Sequence, residues 1–386
     1  MQSNNINANS KIHNLILLQN LFCINRSHWF ERKFHRIFGN VIFYTTVTIL
    51  IVIAILNITD LSKTNVIPPK SVLFAYSFKY LLVAELIPLA VLAKRDNMHV
   101  KLQALDEKCT SKPYFITKKE VTEATDSNSK IVVILSLLSA MVDLIGLNML
   151  EYPSSVVSTL PLAFAAHDTE LLLYSLIIKE FNAKLKTITE KNAEVGMRDY
   201  RNILVTASHF SEDYRFTISV MVLMTLMTTV LYIGAAVVIE GPRTHKVLSY
   251  MIYRELRSLL SLWILCSASF QTRILCTSYI KRLTERLVFE LDTKDESSRE
   301  LTKRLLRCVK SCHVRYLTNS CFTLNLALPL VLLDYTTNYL LIIVQMEWQF
   351  RYDRKEIRRK TESLMCSPRH GWFTKPSTKF SCDAES

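Results

Sequence analysis

Glycine and charge are both scarce in this sequence. Its six glycines form no glycine-rich phosphate loop, and neither the HExxH motif of zinc proteases nor the GxSxG turn of serine hydrolases occurs. Only 21% of the residues are charged and 49% are apolar, an imbalance that soluble proteins of this length seldom show. These absences argue against the common enzyme classes, and we expect no catalytic site, no metal and no cofactor.

The sequence predicts neither a secretory leader nor a disulfide framework. Residues 1–13 are polar, and the apolar patch Leu15–Phe22 is short and lacks a cleavage-like end. We therefore expect the first apolar span to target the chain and to be retained. The nine cysteines are odd in number and lie mostly in apolar runs and internal loops, which is unlike a disulfide scaffold.

Seven apolar runs are long enough to cross a bilayer, which takes about 20 helical residues at about 1.5 Å each. The runs are Val41–Ile58, Ser71–Ala93, Ile131–Leu150, Ser154–Ile178, Phe216–Ile239, Val247–Thr272 and Tyr316–Met346. The fourth and sixth runs are the weaker predictions, because charged residues fall inside them. We predict an all-α fold, a seven-transmembrane helical bundle in a multi-pass membrane protein.

Lysine and arginine vary in density along the chain, and this predicts its orientation. Thirty-one of them fall in four segments, 1–40, 94–130, 179–215 and 273–315. Because basic segments stay on the cytosolic side, we expect a cytosolic N-terminus and an extracellular C-terminus. The nine basic residues after Met346 point the other way, and the four segments outweigh them. The net charge of +13 is therefore assigned to a membrane surface rather than to nucleic acid.

Three regions follow from this topology: a cytosolic N-terminal segment (1–40), a transmembrane domain (41–346) and a tail (347–386). We expect the tail to be disordered, because it is basic, contains Ser and Pro, and has no apolar period. The three internal segments within the transmembrane domain have helix-compatible spacing and dense charge. We expect them to extend the spans and pack as a cytosolic helical platform, the alternative being unconnected charged loops.

The last run is too long for one straight span and too polar to face lipid throughout. Its 31 residues carry one formal charge, Asp334, and Pro329 is expected to break or kink the helix because it lacks a backbone donor. Tyr, Thr, Asn and Gln side chains recur along its final half. Such residues suit a helix that lines a wet pathway.

The end of this run resembles the seventh helix of the insect gustatory receptor family. That helix ends with Thr-Tyr, five apolar residues and Gln-Phe. Here Tyr339, Leu340–Val344 and Gln345 match, whereas Asn338 and Met346 stand in place of Thr and Phe.

The resemblance continues upstream, where residues 321–325 (Cys-Phe-Thr-Leu-Asn) are similar to the family's aromatic-Thr-Leu-Asp entry to that helix. The seven spans, the loop lengths and the cytosolic N-terminus agree with the family as well. The tail is a departure, because members of the family usually end within a few residues of the Gln-Phe motif.

The resemblance implies a ligand-gated cation channel in the plasma membrane, a homo- or heterotetramer with other gustatory receptors. The seventh helices would line one central pore, with a ring of Gln345 amides for a partly hydrated cation and with Ile342 and Met346 as the gate. Asn338 and Tyr339 would hold the motif in place by packing. A neutral ring implies weak discrimination among monovalent cations. A small-molecule tastant would shift the population towards the open state, with membrane lipid as the other partner.

The family's ligand pocket lies among the outer halves of spans two to six, where buried charges and aromatic residues are the candidates. The candidate ligand-binding residues are Lys79, Tyr80, Asp143, Tyr232, Tyr253 and Trp263. The alternative for each is an interhelical ion pair or a place in the aromatic belt. His167, Asp168 and Glu170 lie deeper in the fourth span and are assigned to helix pairing.

Two other functions stay open on the sequence alone. A metabotropic receptor coupled to G proteins would need its N-terminus outside the cell. A transporter would need inverted repeats with broken helices in both halves, and only the last run is clearly broken. The ligand is open too, although Leu340 stands where sugar-sensing members of the family carry an acid, which favours a bitter or other plant compound.

Overall fold

A computed structural model describes residues 7–30, 32–61, 70–109, 118–149, 154–188, 193–238, 244–289, 296–311 and 324–365. These residues form ten α-helices and one short 3₁₀ helix, Ser27–Trp29, and none of them lies in a strand. The α-helices are α1 (Asn7–Leu21), α2 (Lys33–Leu61), α3 (Lys70–Arg95), α4 (Met98–Cys109), α5 (Lys118–Met149), α6 (Ser154–Ile188), α7 (Ala193–Val238), α8 (Thr244–Phe289), α9 (Glu296–Ser311) and α10 (Leu328–Met365). The predicted all-α fold is confirmed.

Each of the seven predicted spans overlaps one of these helices: α2, α3, α5, α6, α7, α8 and α10. Within the described part of the chain, α2, α6, α7, α8 and α10 each hold a stretch long and apolar enough to cross a membrane. A shorter apolar stretch, Val133–Met149, lies in α5. Most side chains in the first half of α3 lie outside the described residues. The chain has the helices of a multi-pass membrane protein.

Helix α6 lies at the centre of the bundle and packs against α1, α2, α3, α5, α7 and α8. An 18-residue apolar window within Thr159–Ile188 is 83% buried, whereas the corresponding window within Lys33–Val52 of α2 is only 6% buried. A central helix is surrounded by protein rather than by lipid, so charged side chains on it can find partners. This explains how a run with three ionisable residues is still a bundle helix.

The N-terminal segment before α2 is part of the bundle core. Leu15 and Phe22, at the two ends of the short apolar patch, are buried, and so are Trp29 and Phe30 after it. Helix α1 packs against α2, α5 and α6. Apolar burial therefore anchors this segment on the central helix.

The described parts of the three internal segments are helical, as expected, except for Asp96 and Asn97 between α3 and α4. Helices α7 and α8 have 46 residues each, about 69 Å, which exceeds the roughly 30 Å of a bilayer's hydrocarbon core. Helix α9 packs on both of these helices, and α4 packs on α7. The long helices are thus long enough to continue past the membrane into packed helical structure. The location of this packed structure on the cytosolic side remains a prediction.

The start and the end of α10 both differ from expectation. Pro329 is expected to break a helix, but it lies in the first turn of α10, where a missing N–H is harmless because first-turn donors have no intrahelical acceptor. The tail is expected to be disordered from residue 347, but residues 347–365 continue α10. Good helix formers and the 2.8 Å pair between Glu356 and Lys360 on successive turns favour this continuation. Residues 366–386 lie outside the described residues.

The chain divides into two compact units, residues 1–340 and residues 341–386. The described part of the first unit holds nine α-helices, the 3₁₀ helix and the beginning of α10. The described part of the second unit is the remainder of α10, residues 341–365.

Candidate functional site

Helix α10 begins with a side-chain cap. The amide N–H of Leu328 donates to Oδ1 of Asn325 at 3.0 Å, which satisfies one of the first-turn donors of the helix. The hydroxyl of Ser269 on α8 donates to the carbonyl of Leu324 at 2.9 Å and ties this entry to the bundle. Thus Asn325, in the segment that resembles the family's entry to its last helix, has a defined structural role.

Within the described part of the first unit, α10 buries four side chains, those of Leu328, Pro329, Leu332 and Thr336. Leu328, Leu332 and Thr336 have exposures of 4%, 2% and 2%, and their spacing of four residues places them along one side of the helix. The other described side chains between Leu330 and Tyr339 are exposed. This part of α10 therefore leaves most of its circumference uncovered.

The residues of the predicted pore lie on this uncovered helix. Tyr339, Ile342 and Met346 are 51%, 51% and 54% exposed, and Asn338 and Gln345 are exposed as well. Because successive residues of a helix are 100° apart, these five side chains point in several directions. Exposed amides on an apolar helix need water or a neighbouring chain as hydrogen-bonding partner.

A group of four charged side chains joins α5, α6 and α8, and we call it the Arg254 cluster: Asp143, Asp168, Arg254 and Arg257. Nη1 of Arg254 donates to Oδ2 of Asp168 at 2.8 Å. Arg257 bridges the two acids, with Nη1 2.5 Å from Oδ2 of Asp143 and Nη2 2.7 Å from Oδ2 of Asp168. Two carboxylates and two guanidinium groups balance in charge, which allows their burial at 0–13% side-chain exposure.

Aromatic rings complete the surroundings of the Arg254 cluster. Tyr250 donates its hydroxyl to Oδ1 of Asp143 at 3.2 Å and lies one turn before Arg254 on the same face of α8. The guanidinium carbon of Arg254 lies 3.9 Å from the ring centre of Phe164 on α6, a cation–π contact. The cluster is therefore built from one face of α8 and its facing helices.

A second buried pair joins α3, α6 and α7. Nδ1 of His167 lies 2.7 Å from Oε1 of Glu85, and its Nε2 lies 3.2 Å from the hydroxyl of Thr225. On α8, Glu255 accepts a hydrogen bond from the hydroxyl of Thr229 on α7. All of these contacts join one helix to another. The sequence predicts this helix-pairing role for His167.

The six predicted ligand-binding residues are not equivalent in the structure. Asp143 is fully buried and makes the ion pair with Arg257, which is the alternative named for it. Tyr80 and Trp263 are 67% and 49% exposed and face outwards. The hydroxyl of Tyr253 lies 3.3 Å from that of Ser139 on α5. The side chains of the remaining two, Lys79 and Tyr232, lie outside the described residues, so their assignment stays a prediction.

A third charged group ties the N-terminal segment to α6, and we call it the Arg26 cluster: Arg26, Asp96, Glu170, Tyr174 and Tyr214. Nη1 and Nη2 of Arg26 donate to the two oxygens of Glu170 at 2.6 and 2.5 Å. Its Nε lies 3.3 Å from Oδ2 of Asp96, which directly follows α3. Tyr174 donates to Glu170 at 2.5 Å, and Tyr214 donates to Asp96. The guanidinium is thus held from two sides by acids.

Electrostatics keep Arg26 charged in the core. Burial disfavours the charged form, but the carboxylates of Glu170 and Asp96 outweigh burial and hold the pKa of Arg26 above its usual range. Close by, burial lowers the pKa of His99 to about 4, with His28 and Arg36 adding repulsion. The site therefore combines one permanent cation with one histidine that stays neutral at physiological pH.

The Arg26 cluster cannot be recognised as a group from the sequence. Glu170 stands out as an ionisable residue within an apolar run, and its assignment to helix pairing agrees with the geometry. Arg26 gives no such signal, because it is one basic residue in a polar segment rich in them. Its partner is 144 positions away, and such a separation leaves no local pattern.

The described residues hold no group of three or more His, Cys, Asp or Glu side chains placed to bind a metal ion. No family model and no curated protein matches this sequence. Among solved structures, the insect olfactory receptor OR5 from Machilis hrabei, in complex with eugenol, is similar at 10% sequence identity and a TM-score of 0.48. The alignment covers 87% of this chain and 97% of that chain.

Proposed function

We propose that this chain is a subunit of a tastant-gated, non-selective cation channel of the gustatory receptor type in the plasma membrane. Four copies, or copies of this chain with related subunits, would surround one pore lined by α10. The ring of Gln345 amides would meet the partly hydrated cation, and Ile342 and Met346 would close the pore when they approach their counterparts.

The uncovered state of α10 carries this proposal. The helix is apolar enough to cross a membrane, yet eight of its first twelve residues, 328–339, are exposed. Asn338 and Gln345 are exposed on it. An amide facing lipid alone would lose its hydrogen bonds, whereas a pore shared by several copies provides both water and neighbouring chains.

The bundle around α6 supports the receptor part of the proposal. Its ion pairs and interhelical contacts connect α3, α5, α7 and α8 to one central helix, so a small molecule bound between these helices would displace charged partners together. Such a ligand shifts the population only by its difference in affinity for the two arrangements. A small-molecule tastant is the proposed ligand.

Oocytes that express the full-length chain test the function directly. We expect caffeine, denatonium or sucrose, as representatives of a tastant panel, to evoke a cation current that persists when G-protein signalling is blocked by an injected non-hydrolysable GDP analogue. A current that disappears under the block would contradict the channel and favour a metabotropic receptor.

Replacement of one side chain tests the pore assignment separately. Gln345→Ala should change relative cation permeability or rectification, because it removes the amide ring. Gln349→Ala is the matched control, since Gln349 is an exposed glutamine one turn further along α10. If Gln345→Ala leaves permeability, rectification and block unchanged, Gln345 does not face the pore.

A further inference from the structure

One turn of α6 carries three ionisable side chains, and each pairs with a different part of the chain. His167 pairs with Glu85 on α3, and Asp168 is bound by Arg254 on α8. Glu170 is bound by Arg26, which precedes α2. Because a helix turns 100° per residue, residues 167, 168 and 170 point in three separate directions. This turn is therefore held from three sides at once, by two ion pairs and one hydrogen bond.

The Arg254 cluster and the Arg26 cluster both include a residue of this turn, and only one residue separates the two. Asp168 of the Arg254 cluster and Glu170 of the Arg26 cluster are two residues apart, about 3 Å along the helix axis. The α-carbons of a helix interior move together, and close packing leaves little room for one side chain to relax alone. A rotation or shift of α6 that changes the contacts of Asp168 must change those of Glu170.

Arg26 is the residue through which this movement would reach the N-terminal segment. Its side chain is 1% exposed, and its third contact, to Asp96, lies directly after α3. The neighbouring Trp29 donates its indole N–H to the carbonyl of Asp96 at 3.1 Å, and the Arg26 guanidinium lies 5.6 Å from the Trp29 ring centre. The position of Arg26 thus sets the surroundings of one buried tryptophan.

We propose that the turn His167–Glu170 of α6 couples the Arg254 cluster to the Arg26 cluster, with Arg26 as a positioning residue of the gating equilibrium. The gating role rests on the proposed channel function, whereas the coupling between the clusters does not. A coupling of this kind requires one element whose arrangement both sites bias, and α6 is that element.

Fluorescence of Trp29 tests the coupling without a ligand or a current. The full-length protein in detergent carries Phe in place of Trp263, Trp348 and Trp372, so that Trp29 is the remaining emitter. Arg257→Lys keeps the charge of the Arg254 cluster but loses the bridge between two acids. We expect it to raise acrylamide quenching of Trp29 at least twofold. If Arg257→Lys fails to fold, Tyr250→Phe replaces it as a milder change in the same cluster, and we expect it to raise the quenching too.

Arg273→Lys is the matched control, because Arg273 is an exposed arginine on the same helix. We expect this control to leave Trp29 quenching at the wild-type value. Unchanged quenching in Arg257→Lys or Tyr250→Phe protein that elutes as a single folded species would overturn the coupling.

Currents then test the gating role of Arg26 by a double-mutant cycle. Independent sites change the half-maximal tastant concentration by factors that multiply to within about twofold. The cycle combines Arg26→Lys with Tyr250→Phe and uses the tastant that opens the wild-type channel. We expect the double variant's change in half-maximal concentration to differ at least fivefold from the product of the two single changes. A change in the double variant that lies within twofold of that product would overturn the gating role. If the wild type gives no G-protein-independent current but Trp29 responds, the proposed function fails while the coupling stands.

Discussion

Arg26 and Glu170 form a bidentate ion pair, with N–O distances of 2.6 and 2.5 Å, at 1% side-chain exposure on both partners. The geometry is the parallel fork in which arginine binds a carboxylate most strongly. It connects a segment before the first predicted span to the most central helix of the bundle. Loss of one partner would leave the other as a buried charge without its counter-ion.

Removal of Arg26 alone should therefore destabilise the protein strongly. We expect Arg26→Met to cost about 3 to 5 kcal/mol, as for other buried pairs that lose one partner. The double variant Arg26→Met/Glu170→Gln should recover part of this loss, because it removes the uncompensated carboxylate of α6. Melting temperatures of the detergent-solubilised protein measure both effects. A double variant that melts below the single variant would contradict the ion-pair explanation.

The helices of this fold are predictable from sequence because apolar length is a local property. Each predicted span overlaps a helix, including the fourth, whose charges weaken its score. His167, Asp168 and Glu170 lower the hydropathy of α6, yet they are the residues that place it at the centre, since each has a partner on another element. Hydropathy alone ranks this helix as a weak span, and the tertiary structure makes it the most buried stretch of the five.

The candidate site is predictable only in part, for a different physical reason. The resemblance in α10 rests on consecutive residues, so Gln345 and its neighbours can be named from sequence. The partners of Asp143 and Arg26 come from distant segments, and nothing local in the sequence selects Arg257 or Glu170 among many charged residues. Composition also hides the helical state of residues 347–365, because their dense charge is typical of disorder although many of them are good helix formers.

The cap of α10 leads to a second stability prediction. Asn325→Ala removes the side-chain acceptor for the amide of Leu328 and leaves only the weaker contact to the carbonyl of residue 325 at 3.2 Å, so it should cost up to about 1 kcal/mol. Asn325→Asp is the control, because it keeps a side-chain oxygen and adds a negative charge at a helix N-terminus, which is favourable. We expect the alanine variant to melt at a lower temperature and the aspartate variant to melt at or above the wild-type value. Equal losses in both variants would exclude the cap as the cause.

His99 predicts a pH dependence of stability. Its pKa is lowered to about 4 from an ordinary value of 6.5, so the unfolded chain binds more protons than the folded one between these values. Stability should consequently fall as the pH falls from 6.5 towards 4. His99→Asn should lose this part of the dependence, because asparagine does not titrate. Melting temperatures of both proteins across this range should diverge, and parallel curves would contradict the prediction.

Gln345→Glu gives the sharpest test of the pore. In a tetramer this change places four carboxylates around the proposed ring, and rings of acidic side chains favour cations, especially divalent ones. We expect the permeability to Ca²⁺ relative to Na⁺ to rise several-fold, measured from reversal potentials under ion substitution. Gln349→Glu adds the same charge to an exposed residue one turn, about 6 Å, further along α10. If α10 lines the pore with Gln345 at its narrow part, the first variant must shift the reversal potential more than the second. Equal shifts would assign the effect to surface charge at the mouth, because a charge outside the narrow part attracts cations without selecting among those that pass.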